Sequence, residues 1–269
     1  MSKKLLKLNN RNYYSQDANL EYLSVSQYKD FCGSLGKRGC EAHALAKLKG
    51  EWQEEQTPAM LIGSYVDSYF EGSLEEFKEN HPEIYLKNGN LKSDFIKAEE
   101  IIRRAEKDKY FMMYMSGQKQ VITTAELFGV KWKIKMDSYI ENNGIIDLKV
   151  VKDLHERFWV KDFGFTNFIE YWGYDFQLAI YQKVVEINTG KKLPCYIAGI
   201  DKGKHPDLAV IYISQNQLDA ALMGIENNVR RIHAIKNGEI EPDRCEICDY
   251  CKETRILHHP IRTGDLIEL

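Results

Sequence analysis

The chain has 269 residues, enough for one large α/β domain or two small ones. Apolar residues make up 43% and charged residues 29%, with only 6 prolines and 18 glycines, a balance that excludes collagen-like, low-complexity and disordered classes. The net charge of -3, from 37 Lys+Arg against 40 Asp+Glu, gives no global reason to expect a polyanionic ligand, so any nucleic-acid surface must be local.

The longest uncharged stretches, residues 56–66 and 208–218, reach about half the length of a bilayer span, which gives no reason to expect a membrane partner. The Lys-rich start MSKKLLKLNN lacks the apolar run of a signal peptide, and a soluble cytoplasmic protein is expected. The first part of the chain reads helical. Ser26 is placed to cap a short helix through residue 35, and residues 40–49 are rich in Ala and Leu. Thr57-Pro58 sets a capping hydroxyl and an N1 proline ahead of AMLIGSYVDSYFEG. Ser93 heads a long helix to residue 115, with Phe95, Ala98, Ile101, Ile102 and Ala105 at helical spacing.

After Gly117 the period changes. Residues 121–128, 130–140 and 145–151 are rich in β-branched and aromatic side chains and are separated by turn signals, which predicts a three-stranded meander. A helix over 167–187 follows, then strands near 195–200 and 209–213, and Ser214 caps a last helix to about residue 236. This order gives an α/β (α+β) fold with a central mixed sheet flanked by helices and a helical N-terminal region. The expected organisation is a single domain over 1–269, with a helical part (1–92), a core (93–240) and an irregular cysteine-containing tail (241–269).

The segment WKIKMDSYIENNGIIDLKV carries the most chemical information. Asn142-Asn143-Gly144 suits a three-residue hairpin loop with Gly144 left-handed, which pairs Glu141 with Ile145, Asp137 with Lys149 and Tyr139 with Asp147. With the two-residue strand period, Asp137, Asp147 and Lys149 then share one face. A two-residue Asn143-Gly144 turn would instead throw Asp137 to the other side. Two carboxylates on one face repel unless a stronger cation than one lysine sits between them, and Mg²⁺ (or Mn²⁺) with its preference for oxygen ligands suits that place. Alternating charges on a solvated surface hairpin are the plain alternative.

Asp137, then Asp147-Leu148-Lys149, then Gln177 and Tyr181 at i, i+4 on the following helix, together resemble the PD-(D/E)XK nucleases of the RecB and phage lambda exonuclease type. Gly63-Ser64-Tyr65-Val66-Asp67 resembles the family's upstream G-x-x-x-H element, with Asp67 where many members carry histidine, and Met136 stands where a proline often precedes the first acid. Within the superfamily the likeness is to phage-encoded RecE-like enzymes. The resemblance implies a restriction-endonuclease-like core in which Asp137, Asp147, Lys149, Gln177 and Tyr181 are catalytic, and Asp67, Asp137, Asp147 and the Leu148 carbonyl hold the metal. It further implies a 5′→3′ exonuclease acting on double-stranded DNA ends in phage-type recombination, a ring of identical subunits, and a single-strand annealing protein as partner. A restriction or repair endonuclease on the same core, and a non-catalytic DNA-binding or Fe–S module, are the competing readings.

Six cysteines in a reducing compartment read as metal ligands where they cluster, and Cys245, Cys248 and Cys251 form a C-x2-C-x2-C run. A closed zinc or Fe–S site needs a fourth ligand, for which Cys40, Cys32, His258 and His259 are candidates. Relatives of the RecB type clamp a [4Fe–4S] cluster with one N-terminal and three C-terminal cysteines, and Cys40 with this run resembles that arrangement. Three free thiols in a tail are the alternative. For DNA backbone, Lys37-Arg38 in a Gly-flanked loop and the stripe Lys131, Lys133, Lys135, in strand parity with Asp137, are the candidates. Trp159, Phe163, Phe165, Tyr171 and Trp172 are expected to pack mainly in the core, with one ring available to a DNA end.

Overall fold

A computed structural model of the chain describes residues 6–258, 260 and 262–264. His259, one of the four candidates for a fourth cysteine-site ligand, lies outside them. The helices begin with α1 (Gln16–Glu21) and α2 (Val25–Cys32), then a tight hairpin of β1 (Gly33–Ser34) and β2 (Lys37–Arg38), then α3 (Glu41–Lys49). Helices α4 (Pro58–Glu71), α5 (Leu74–Asn80), α6 (Ser93–Glu106) and α7 (Lys109–Tyr114) follow. Strands β3 (Val121–Leu127), β4 (Val130–Met136), β5 (Ser138–Ile140) and β6 (Gly144–Val151) lead to a hairpin of β7 (Phe158–Val160) and β8 (Gly164–Thr166). The chain closes with α8 (Phe168–Tyr171), α9 (Tyr174–Thr189), β9 (Cys195–Asp201), β10 (Leu208–Ile213), α10 (Gln215–Ala221), α11 (Ile225–Lys236) and α12 (Asp249–Glu253). Among the described residues no helix is long and apolar enough to cross a membrane.

These residues fall into two compact units with interleaved segments. One takes the described residues through Glu54, the hairpin tip Glu126–Trp132, and the described residues from Gly224 onward; the other takes Glu55–Ala125 and Lys133–Met223. In the first unit Tyr22, Leu23, Phe31, Trp132, Val229 and Ile232 are buried. The Lys236 ammonium donates to the carbonyls of Asn19 and Tyr22, at 2.7 and 2.8 Å, which satisfies two acceptors at the end of α1. The region beyond residue 240, expected to be irregular, contains α12.

The second unit is built on a four-stranded mixed sheet in the order β10-β9-β6-β5, with β6 and β9 parallel and the outer pairs antiparallel. Ile146 and Leu148 of β6, with Ala198 and Ile200 of β9, pack on Tyr65, Val66 and Phe70 of α4 and Ala98, Ile101 and Ile102 of α6. Helix α9 covers β6 and β9 as well, with Leu178, Ala179 and Val185 buried. The inner strands are therefore covered on both faces, which explains why β6 reads as a nearly continuous apolar run.

Several boundaries differ from the sequence expectation, each for a local reason. Ser24 rather than Ser26 caps α2, accepting from the Gln27 N–H at 3.3 Å, and α2 ends at Cys32 because residues 33–38 pair as a hairpin. The helix expected over 93–115 is two, since the Asp108 carboxylate takes the N–H groups of Tyr110 and Phe111 and starts a new one. The helix expected over 167–187 breaks at Gly173, whose φ of 64° is left-handed and suits glycine. The expected last helix breaks in the same way at Gly224. The predicted meander is likewise divided: β3 pairs with β4 in a separate two-stranded ribbon, and the strand expected over 130–140 is interrupted at Asp137.

The hairpin register also differs. Tyr139 pairs with Ile145 and Ile140 with Gly144, two residues from the expected pairing. Asn142 takes the left-handed conformation at φ 64°, a role a short amide side chain tolerates, which leaves Gly144 free to be the first residue of β6. A shift of two preserves the strand period of β6, so Asp147 and Lys149 keep a common face, while Asp137, off the ladder, reaches β6 through its carboxylate.

Candidate active site and cysteine cluster

The interruption at Asp137 creates the site. Between β4 and β5 the backbone leaves the ladder for one residue, and the Asp137 Oδ2 atom accepts the Leu148 N–H of β6 at 2.9 Å in place of a backbone carbonyl. Asp147 is buried at 2% exposure, a costly position for a carboxylate without partners. Its Oδ1 accepts from Gln177 Nε2 of α9 at 2.5 Å, and its Oδ2 forms an ion pair with the Lys149 ammonium. That Oδ2 accepts no hydrogen bond of good geometry. Lys149 Nζ also donates to the Leu148 carbonyl at 3.3 Å and lies 4.8 Å from the ring centre of Tyr174, within cation–π reach. Gln177 in turn donates to the Tyr181 hydroxyl at 3.4 Å, so the expected i, i+4 pair meets on one face of α9.

The electrostatics show how crowded these acids are. Burial and then the Asp147 charge push Asp137 up from an ordinary 3.8 to about 7. Asp67, from α4, is raised well above the carboxylate range by burial and then by Asp137. Burial alone would lower Lys149, but the charges of Asp147 and Asp137 outweigh it and raise it instead. One ammonium thus offsets a set of acids that exceeds its charge. An all-oxygen donor set of Asp67, Asp137, Asp147 and the Leu148 carbonyl, with Asp147 Oδ2 short of a hydrogen bond, fits a hard divalent cation.

Three members of this neighbourhood escaped the sequence reading. Tyr174 stands three residues before Gln177 on α9, and the i, i+3, i+7 pattern of Tyr174, Gln177 and Tyr181 was its available signal. Glu71, one turn after Asp67 on α4, adds its charge to both Asp67 and Asp137. Burial lowers Lys119 and the Asp137 charge opposes that; nothing in its sequence context points to the site.

The basic candidates are placed differently from expectation. Lys133 is buried at 1% exposure and burial lowers it to about 8, while Lys131 pairs with Glu21 at 3.2 Å and Lys135 is half-buried. The stripe is therefore not a continuous open phosphate-binding surface: its middle member, Lys133, is enclosed, while Lys131 and Lys135 on either side are partly exposed. Lys37 and Arg38 are exposed on β2, Lys37 lying 3.9 Å from Asp30. The aromatic run is also corrected: Trp159 and Phe165, on β7 and β8, are 66% and 60% exposed, and Phe163 between them is exposed too. Phe158 and Tyr171 stack at 4.0 Å beneath them, so the hairpin stands on part of the run and shows the rest to solvent.

In the first unit Cys40, Cys245, Cys248 and Cys251 converge, with all four sulfurs within 4.8 Å of one another. Among the described residues this is the one group of three or more His, Cys, Asp or Glu ligand atoms gathered so tightly. Cys32 is exposed and His258 is exposed, and neither is part of that group.

A mixed sheet carrying two acids and a lysine at a strand break, oriented by a glutamine from the crossing helix, defines a nuclease core of the PD-(D/E)XK superfamily. Residues 24–254 match the model of a family described as a PDDEXK-like domain of unknown function, DUF3799, and the chain belongs to that family. A crystal structure of a protein from Eubacterium rectale, provisionally described as an exonuclease, is 56% identical, with a TM-score of 0.95 over 97% of this chain and 98% of that one. The crystal structure of SSO0001 is 13% identical over 70% of this chain and 82% of that one, at a TM-score of 0.28. No curated protein matches.

Proposed function

We propose that the protein is a Mg²⁺-dependent exodeoxyribonuclease that degrades double-stranded DNA from its ends in the 5′→3′ direction, leaving 3′ single strands, as in phage-type recombination. The observation that carries this reading is the convergence of Asp137, Asp147, the Leu148 carbonyl and Lys149 on one face, with Gln177 fixing Asp147 from the next helix. Asp67, Asp137, Asp147 and the Leu148 carbonyl would hold the ion, which when bound supplies Lewis acidity toward the phosphate and lowers the pKa of attacking water. Mn²⁺ suits the same oxygen set.

The chain's own groups have separable tasks. Asp137, by accepting the Leu148 N–H, fixes the Asp147–Leu148 peptide, the neighbour of the one whose carbonyl accepts from Lys149. Gln177 holds one oxygen of Asp147 and leaves the other directed at Lys149. Lys149, kept protonated by its two acids, stabilises charge that builds on phosphorus as the phosphodiester P–O bond breaks. The exposed rings of Trp159, Phe163 and Phe165 offer stacking surfaces for bases at a DNA end, and Arg157, whose guanidinium lies 4.4 Å from the Phe165 ring centre, adds a cation beside them. Lys37 and Arg38 are the exposed basic pair available for backbone phosphates. A ring of identical subunits around the duplex and a single-strand annealing protein as partner complete the proposal.

The test is incubation of the purified protein with linear duplex labelled at either the 5′ or the 3′ end, with and without Mg²⁺, beside a closed circular plasmid. The expected result is Mg²⁺-dependent loss of the 5′ label first, with the circle untouched. Cleavage of the circle would make the protein an endonuclease on the same core.

A further inference from the structure

The resemblance to RecB-type nucleases implies a [4Fe–4S] cluster at the four cysteines, and the geometry of the site disagrees. The Cys40 and Cys251 sulfurs lie 3.6 Å apart and those of Cys245 and Cys251 3.9 Å apart, and no pair among the four exceeds 4.8 Å. A regular tetrahedron with Zn–S bonds of about 2.3 Å has sulfur-to-sulfur edges of about 3.8 Å. In a four-iron cube each thiolate binds a different iron at its own corner and points away from the others, so its sulfurs stand much further apart than van der Waals contact. Four sulfurs this close enclose room for one ion and not for a cluster.

We propose that Cys40, Cys245, Cys248 and Cys251 hold a single zinc ion in a closed tetrahedral site. The surrounding groups suit a tetrathiolate. The Cys248 N–H donates to the Cys245 sulfur and the Cys251 N–H to the Cys248 sulfur, both at 3.4 Å, so the C-x2-C-x2-C spacing lets the backbone support two of the thiolates. Zinc with four thiolates carries a net charge of −2. Arg244 Nη2 donates to the Cys251 carbonyl at 2.9 Å and so brings a cation beside that charge. The scaffold is built independently of any ion: the Arg231 guanidinium pairs with Glu41 at the start of α3 and with Asp243, whose N–H donates to Glu41 Oε2 at 2.7 Å. The Ala42 N–H donates to the Asp243 carbonyl at 3.0 Å, placing the segment before Cys245 against the helix that begins after Cys40. All four positions are protein ligands, so the ion has no open site for chemistry and its role is to staple the C-terminal run to α3. The inference stands apart from the nuclease reading.

The test is metal analysis of the full chain, purified anaerobically without added metal, together with its visible spectrum and the spectrum after exchange with Co²⁺. The expected result is one zinc per chain, no iron or inorganic sulfide, a colourless protein, and intense red-region bands of tetrahedral cobalt thiolate after exchange. Cys32→Ser, outside the site, should keep the zinc, and Cys40→Ser should lose it along with protection of residues 241–258 from proteolysis. If Cys40→Ser does not fold, the cobalt spectrum of the wild-type chain still decides the ligand set. A brown protein with iron and sulfide, a single iron, or a wild-type chain that binds neither zinc nor cobalt would overturn the proposal.

Discussion

Asp137→Asn should stabilise the protein in the absence of added divalent ions while abolishing cleavage. The amide keeps an oxygen to accept the Leu148 N–H, so the change removes a charge and little else. Asp137 is raised from 3.8 to about 7, roughly 3 pKa units, and each unit is worth about 1.4 kcal/mol. With the proton shared among the crowded acids, the ionised site costs the native state about 2–4 kcal/mol. The folded pKa lies above the unfolded one, so this cost is absent below pH 3.8, grows as pH rises, and is complete above pH 7. Urea unfolding followed by circular dichroism should show variant and wild type converging toward pH 4, and the variant about 2–4 kcal/mol more stable at pH 8. Adding Mg²⁺ at about 100 times its dissociation constant should return about 2.7 kcal/mol to the wild type and much less to the variant. A variant less stable than wild type at pH 8, or a difference constant across pH, would refute the reasoning that burial of the Asp137 charge, followed by repulsion from Asp147, dominates the site.

Other perturbations test the remaining parts. Lys149→Ala should lower turnover at least ~10²-fold with little change in duplex affinity, because Lys149 meets Asp147 and the Leu148 carbonyl inside the site; a pure binding defect at saturating DNA would exclude its catalytic role. Gln177→Ala deprives the buried Asp147 Oδ1 of its donor and should cost about 1–3 kcal/mol in a thermal melt, with turnover reduced in parallel. Gly117→Ala places a Cβ 2.7 Å from the backbone of Tyr139, which cannot yield as a side chain would, and should destabilise by about 1–3 kcal/mol and reduce activity by moving β5 beside Asp137; an unchanged melting temperature would show that this contact relaxes freely.

Local chemistry in the sequence was enough for the helix that Thr57 and Pro58 start, for the apolar core strands β6 and β9, and for the shared face of Asp147 and Lys149. For Asp147 and Lys149 the two-residue register difference is harmless because side-chain direction depends only on whether the shift is even or odd, whereas Asp137 meets β6 by leaving the ladder and accepting the Leu148 N–H. The glycine and aspartate breaks at Asp108, Gly173 and Gly224 were not legible, since a residue that caps or turns a helix in one context is tolerated within it in another. Tertiary structure alone decided which polar residues face solvent. Lys133 alternates with apolar neighbours as an exposed lysine would, yet it is enclosed at the middle of β4, while Trp159 and Phe165 look like core and stand outside on the hairpin of β7 and β8. Cys40 was legible as the fourth sulfur only through the family resemblance: it stands 205 positions before Cys245, and the two segments meet through Glu41 with Arg231 and Asp243 and through the Ala42 N–H on the Asp243 carbonyl. Sequence spacing encodes the residues that one element holds together; contacts between distant segments depend on how whole elements pack, and that is not written in any local pattern.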